Sequence, residues 1–439
     1  MELNLNSGTT VTAKDKHTGL LAFLRDGIGE ILSGGRCYWM WVSFLLVFML
    51  IGVLVYFYQL SEGLLVTNMT NQVSWGFYIS NFTFLVGVAA AAIMLAVPAY
   101  IFDRKDIKDV VLMGDTMAVA AVAMAILFVV VDLGRPDRIW HLIPSIGKFH
   151  FPESLLAWDV VVLNGYILLN LGISSYILYQ HYHGREPKKS RYFPVVLIAI
   201  FWAISIHTVT AFLYSSNSGR PIWNNALLAP RFIASAFASG PAIMAIGLQI
   251  IRGMTNYPVS QSVIDHLAIV TSIALQVTLF FIGAEIFTEF YNEGEHASSA
   301  RYLFFGLHGH TALTPWIWTA ITLLVIAMVI FMVHRTRKNP VFMNIAFIFT
   351  VIGIWIEKGM GLVIPGFVPT PIGEIYEYAP NITEIMISLG IWAFGLLFFT
   401  VMAKAALPIQ CNYMKNNSDP LHPDACAAYK SNPQTSQSD

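Results

Sequence analysis

Charge is scarce in this chain: Asp, Glu, Lys and Arg make up only 12% of its 439 residues, about half the share usual in a soluble domain. A formal net charge of -1 offers no basic face to nucleic acid. Cysteine is scarcer still. Cys37, Cys411 and Cys426 are scattered without metal-ligand spacing, and an iron–sulfur cluster wants four thiolates, so neither a cluster nor another metal site is expected here. Haem b needs two histidines level with one another on different helices. Only His207 lies well inside an apolar run, while His266, His308 and His310 fall near run ends, so haem is not expected. The first 36 residues are polar and lack the apolar core of a cleaved signal peptide. The first membrane helix is therefore expected to stay in the mature protein.

Hydrophobicity is what the chain has in excess: 56% apolar residues and a mean hydropathy of +0.62. The expected fold is all-α and integral to the membrane. Ten apolar runs reach the ~20 residues that cross a bilayer: Trp39–Leu60, Trp75–Phe102, Val110–Val131, Leu155–Tyr179, Phe193–Tyr214, Phe232–Ile251, Val263–Thr288, Leu313–Val333, Val341–Ile356 and Ile385–Ala405. The tail from Pro408 is rich in Asn, Ser and Pro and is expected to be disordered. With this arrangement the 25 Lys and Arg divide eighteen to seven between the two sides. By the positive-inside rule, both termini are expected in the cytoplasm. The long connections carrying Pro, Gly, Trp and acids are then extracytoplasmic, and docking or chemistry is expected there.

The run Met117–Val131 breaks into Asp132-Leu133-Gly134-Arg135-Pro136-Asp137-Arg138, followed by Trp140 and His141. Gly134 and Pro136 stop a helix, and Trp140 suits a membrane–water boundary. An acid at the mouth of such a helix is costly unless it has a task or a partner. The alternative is a helix stop with an Asp–Arg pair anchored among headgroups. Span two opens with Trp75 and Tyr78 at the aromatic belt and places Asn81 about two turns in, as a ligand or as interhelical glue. Asp159 in span four and His207 in span five add polar groups to the same half of the membrane. Asp132, Asp159 and His207 can together surround one small polar ligand, as proton-coupled quinone chemistry requires, although a lone intramembrane His also serves as a packed residue. Glu285 and Glu289 share a helix face at i, i+4, and with Asp115 they suggest a proton path. Glu357 and Lys358 are either further stations or partners of one another.

The combination of Asp132-Leu133-Gly134-Arg135-Pro136 with Trp75-Gly76-x-x-Ile79-x-x-Phe82 resembles the polysulfide reductase membrane-subunit family (NrfD/PsrC type). His207-Thr208-Val209-Thr210-Ala211, Ser218–Trp223, Leu228–Phe232, Ser239–Ala242, Trp355–Gly361 and Pro365-Gly366-Phe367 resemble its ten-helix, DsrP-type branch. That resemblance implies two four-helix bundles, spans two to five and six to nine, flanked by spans one and ten. It further implies a menaquinone site in the first bundle near the extracytoplasmic surface, and an extracytoplasmic ferredoxin-like subunit whose [4Fe–4S] clusters exchange electrons with the quinone. Other membrane and cytochrome subunits would complete a complex of anaerobic respiration and sulfur metabolism. Trp75, Tyr78, Asn81 and Arg135 are the expected quinone contacts, with Asp132, Asp159 and His207 handling protons. Only the Trp75–Phe82 and Asp132–Pro136 positions are carried by the family motifs. Two other classes compete: a secondary transporter, and a membrane anchor without quinone chemistry. Gly and Pro interruptions sit mostly at span ends, apart from Gly240-Pro241 in span six, which speaks against a transporter with helices broken at the midplane.

Overall fold

The computed structural model describes residues 19–416 apart from 144, 256 and 292–295. The expected segments 1–38 and 408–439 therefore lie partly outside the described residues. Among those described, ten helices are long and apolar enough to cross a membrane. They are Arg36–Val66, Phe77–Ile101, Val111–Asp132, Leu155–Tyr182, Lys189–Ser215, Leu228–Thr255, Gln261–Tyr291, Thr314–Met332, Pro340–Gly366 and Ile382–Tyr413, here spans one to ten. Span two packs on three, four on five, six on seven and eight on nine, while span one lies against span ten. Spans two and six meet at the seam between these groups. Burial follows position: 83% of the most apolar window of span two is buried in protein but only 17% of that of span one, so span one turns most of its surface to lipid.

Small residues let the helices touch. A Cβ on Gly52 would stand 2.7 Å from the Gly390 Cα, and a Cβ on Gly390 equally close to Gly52, so spans one and ten cross backbone to backbone. A Cβ on Gly240 would stand 2.8 Å from the Ala91 nitrogen, where span six crosses span two. At that crossing the structure departs from the sequence expectation. Span six runs unbroken through Pro241, whereas span two breaks into helices Phe77–Ala89 and Ala91–Ala96 and ends in a π turn, Val97–Ile101. The Tyr166 hydroxyl donates to the Ala89 carbonyl at 3.0 Å, supplying the partner that a broken membrane helix needs.

Two boundary expectations need correction. The polar N-terminal stretch contains a helix, Leu20–Leu32. Its Phe23 ring packs edge-on against Tyr179 and Tyr182, and Asp26 accepts the Tyr182 hydroxyl, while Leu20, Leu21, Leu24, Ile28 and Leu32 are exposed. The expected polar tail likewise starts too early, because helix Ile382–Asn416 carries Pro408 in its interior. Ala406, Leu407 and Cys411 are buried there and Gln410 donates to the Asp109 carbonyl. Tertiary packing thus outweighs the bond that proline removes.

One end of the molecule carries the long connections and is called the loop-rich end. The other carries short links with Arg104, Lys105, Arg185, Lys188, Arg335 and Lys338 and is the basic end.

Candidate functional site

Span three ends at Asp132, and a short turn of 3-10 helix, Pro136–Leu142, follows. A carboxylate at a helix C-terminus faces the negative end of the dipole, and here Asp132 Oδ1 is buried with no hydrogen-bond partner among the described residues. Beside it opens a cleft of about 450 Å³ lined by Gln59, Leu60, Leu64, Leu133, Gly134 and Arg135. That volume and an apolar wall carrying few polar groups suit a small-molecule ring. At the mouth, Arg135 donates twice to Asp137 at 3.0 Å, both side chains exposed. The Arg135 guanidinium holds the Asp137 carboxyl below the usual carboxylate range.

Behind the cleft, Tyr78 is fully buried and donates to Gln59 Oε1 at 2.7 Å, while Gln59 Nε2 donates to the Val131 carbonyl at 2.7 Å. Spans one, two and three are thereby tied beside Asp132. Glu384 of span ten, within electrostatic reach of Asp132, accepts the backbone N–H groups of Asn68 and Asn381 and the Tyr378 hydroxyl. Tyr378 in turn accepts the Phe77 N–H at 2.8 Å, fixing the start of span two.

The other expected contacts lie elsewhere. Trp75 joins an aromatic cluster, stacked on Trp223 at 5.6 Å and edge-on to Tyr214 and Phe367. Asn81 Oδ1 accepts the indole N–H groups of Trp355 and Trp392 at 3.0 and 3.1 Å, and its Nδ2 donates to the Phe77 carbonyl, so its bonding is interhelical. Asp159 is buried and accepts the Thr210 hydroxyl at 2.8 Å, joining spans four and five. His207, one turn from Thr210, is buried with Nδ1 2.5 Å from the Ala203 carbonyl. Of the expected residues Arg135 lines the cleft, Tyr78 stands behind its Gln59, and Asp132 precedes its Leu133, whereas Asp159 and His207 are buried on spans four and five.

The three carboxylates expected on a proton path sit on two helices, Asp115 on span three and Glu285 and Glu289 on span seven. Asp115 is buried toward the basic end, accepts the Ser174 hydroxyl at 3.0 Å and faces a small cavity with Tyr100, Tyr166 and Asn170. Glu285, in span seven, pairs with Arg231 of span six, and Glu289 is buried one turn further on. Arg231 also pairs with Glu357 of span nine, so Glu357 takes its partner from another helix and not from the adjacent Lys358. Counted as a loop cation in the sequence, Arg231 is 5% exposed; it is a cross-link between three spans.

Sequence reasoning passed over Gln59, Tyr214 and Arg231. Gln59 sits in an otherwise apolar run near the span end, and an intramembrane amide there was a readable signal. Tyr214 shares a 2.5 Å hydrogen bond with Thr83, but a tyrosine at a span terminus reads as one more belt residue.

Ten membrane-crossing helices with a polar site sunk beneath their loop-rich end define a polytopic integral membrane protein. The family described as "Polysulphide reductase, NrfD" matches residues 65–369, more than half of the chain, and the chain belongs to it. It is 25% identical over 415 residues to a putative dimethyl sulfoxide reductase membrane subunit of Halobacterium salinarum, covering 84% of this chain and 91% of that protein. It is 25% identical over 370 residues to the Hdr-like menaquinol oxidoreductase integral membrane subunit of Archaeoglobus fulgidus, covering 80% and 88%. With the menaquinone reductase integral membrane subunit of Nitratidesulfovibrio vulgaris it shares 23% over 389 residues, covering 82% and 90%.

Proposed function

We propose that this chain is the quinone-interacting membrane subunit of a respiratory electron-transfer complex, with menaquinone as its ligand. The observation that carries the reading is Asp132: a buried carboxylate oxygen without a hydrogen-bond partner among the described residues, beside a cleft of about 450 Å³ at the loop-rich end. Relatives named as menaquinol oxidoreductase and menaquinone reductase membrane subunits support it. Bound quinone supplies two-electron, two-proton redox chemistry. The residues of this chain supply the setting. Leu60, Leu64 and Leu133 give the ring an apolar wall, and Gln59 is braced by Tyr78 and Val131. Asp132 holds or passes a proton at Oδ1, and the Arg135–Asp137 pair borders the mouth.

Orientation follows from the eighteen-to-seven division of Lys and Arg, since two of the seven, Arg231 and Lys358, are buried and face no solvent. The basic end is then cytoplasmic and the cleft extracytoplasmic. Three cysteines are too few for a [4Fe–4S] cluster, so electrons come from or go to a neighbour, a ferredoxin-like extracytoplasmic subunit docked over the cleft. Membrane and cytochrome subunits of a sulfur-linked anaerobic respiratory chain complete the assembly.

Gentle purification of the intact complex, followed by extraction of bound quinone and metal, tests this. Near-stoichiometric quinone with a co-purifying iron–sulfur protein is expected in the wild type. Asp132→Asn should lose quinone-dependent turnover. A lone chain with neither quinone nor iron–sulfur partner sinks the reading. A secondary transporter draws on the break of span two at Ala90, and solute uptake by quinone-free liposomes would favour it. A pure anchor predicts full activity after substitution of Asp132.

A further inference from the structure

The inward-set charges of spans six, seven and nine do not balance: Arg231 and Lys358 stand against Glu285, Glu289 and Glu357. Arg231 divides its guanidinium between Glu285 and Glu357, so one cation serves two carboxylates. The second cation, Lys358, is 1% exposed, and its Nζ hydrogen-bonds to none of the described residues. It stands 3.3 Å from the centre of the Phe232 ring, a cation–π contact that replaces only part of an ammonium's hydration. Glu357 Oε2 is also buried without a hydrogen-bond partner.

A third such atom belongs to span five. His207 Nε2 is buried and unpartnered. The Ala203 carbonyl at Nδ1 only accepts, which places a proton on Nδ1 and leaves the neutral ring a lone pair at Nε2. Lys358 lies within electrostatic reach of Glu357 and Arg231 on one side and of His207 on the other. The groups around it are Glu357 on its own span and Arg231 and Phe232 on span six, while His207 on span five lies beside the Val86 and Gly87 backbone of span two. From span two comes Ser80, which abuts Gly359 and donates to the Gly76 carbonyl. Toward the loop-rich end the aromatic cluster covers them. Trp223 donates to the Leu362 carbonyl and meets Phe367 at 5.0 Å, and Tyr214 meets Phe232 at 5.9 Å. Lys358 Nζ and Glu357 Oε2, buried on adjacent residues with no hydrogen-bond partner among the described residues, call for bridging water.

We propose that Lys358 and Glu357 form an internal proton-exchange site, bridged by water, where spans six and nine meet. Arg231, paired with both Glu285 and Glu357, fixes the background. Lys358 is the cation able to discharge, its ammonium proton passing to Glu357 Oε2 and leaving a neutral amine. The site is separate from the Asp132 cleft. It rests on the quinone reading, because protons it accepts or supplies are those of the ring's redox step.

The test uses the intact complex in sealed liposomes, with bound quinone and protons moved per electron measured for wild type, Lys358→Met, Lys358→Arg and Glu357→Gln. All four are expected to retain quinone. The three variants are expected to lose at least tenfold in protons moved per electron. Arg is the informative substitution: a purely structural cation predicts that Lys358→Arg behaves as wild type, whereas a proton-exchanging lysine cannot be replaced by a group that never deprotonates. Where one variant fails to assemble, Glu357→Gln, which keeps the side-chain shape, carries the test. Wild-type proton-to-electron ratios in Lys358→Arg and Glu357→Gln overturn the site while leaving the quinone reading intact. Wild-type complex without quinone overturns both.

Discussion

Gln59 and Tyr78 form a 2.7 Å hydrogen bond between a lipid-facing helix and the most deeply buried one, and Gln59 passes the connection on to the Val131 carbonyl at 2.7 Å. The pair decides where Asp132 sits, because Val131 is its immediate neighbour at the end of span three.

Tyr78→Phe removes the donor and leaves the buried Gln59 oxygen unpaired. The expected cost is about 1–3 kcal/mol, read as a lower thermal midpoint of the detergent-solubilised protein together with reduced bound quinone. An unchanged midpoint would show the bond to be incidental to the cleft.

Asp132→Asn should separate function from stability. A carboxylate at a helix C-terminus with a partnerless buried oxygen is unfavourable, so its neutral isostere is expected to leave the fold as stable or stabilise it by about 0.3–1 kcal/mol. Quinone-dependent turnover should fall on the order of 100-fold or more. Loss of stability alongside loss of turnover would instead make Asp132 a structural helix stop.

Glu285→Gln takes away one of the two carboxylates on Arg231. Breaking a buried pair on one side costs roughly 3–5 kcal/mol, and the remaining Glu357 contact brings the expected loss toward the lower figure. Thermal unfolding of the purified variant measures it. If Glu285 were free to conduct protons, the substitution would abolish proton movement without touching the midpoint.

At the basic end, Arg104 donates to Asp106 at 2.9 Å and 2.5 Å, and the pair is partly exposed. The guanidinium holds the Asp106 carboxyl below its ordinary value. A depressed carboxylate contributes stability that is present above the unfolded value and lost as pH falls through the folded one. The stability gap between wild type and Asp106→Asn should therefore be constant from neutral pH down to about 5 and close below about 4. Solvent screening keeps it under about 1 kcal/mol, and 1 M salt should reduce it further. A gap that widens toward acid contradicts the assignment.

The spans were legible because run length is a local property: Val111–Asp132 needs no knowledge of its neighbours to be recognised as a crossing helix. The turn at Asp132 was legible for a related reason, since an acid, a glycine and a proline at the end of an apolar run conflict with their surroundings. What stayed hidden depends on who faces whom. Nothing near Arg231 announces that Glu285 and Glu357 converge on it from two other helices, and Arg231 reads as a loop cation. Asn81 reads as a ligand or as interhelical glue, and only the fold supplies Trp355 and Trp392 from spans nine and ten as its partners. The helix Leu20–Leu32 was missed because it is too short to cross a membrane, and its Arg25, Asp26 and Glu30 with two glycines make it read as part of the polar segment.

The Gly52–Gly390 crossing has a consequence for biogenesis. Span one docks chiefly on span ten, so during synthesis it waits in the lipid until the last helix is inserted. Gln59 rides on span one, and Glu384, which anchors Tyr378 and through it the start of span two, rides on span ten. The cleft beside Asp132 therefore matures last. A ribosome-stalled or C-terminally shortened chain would hold its eight middle helices with an unfinished pocket.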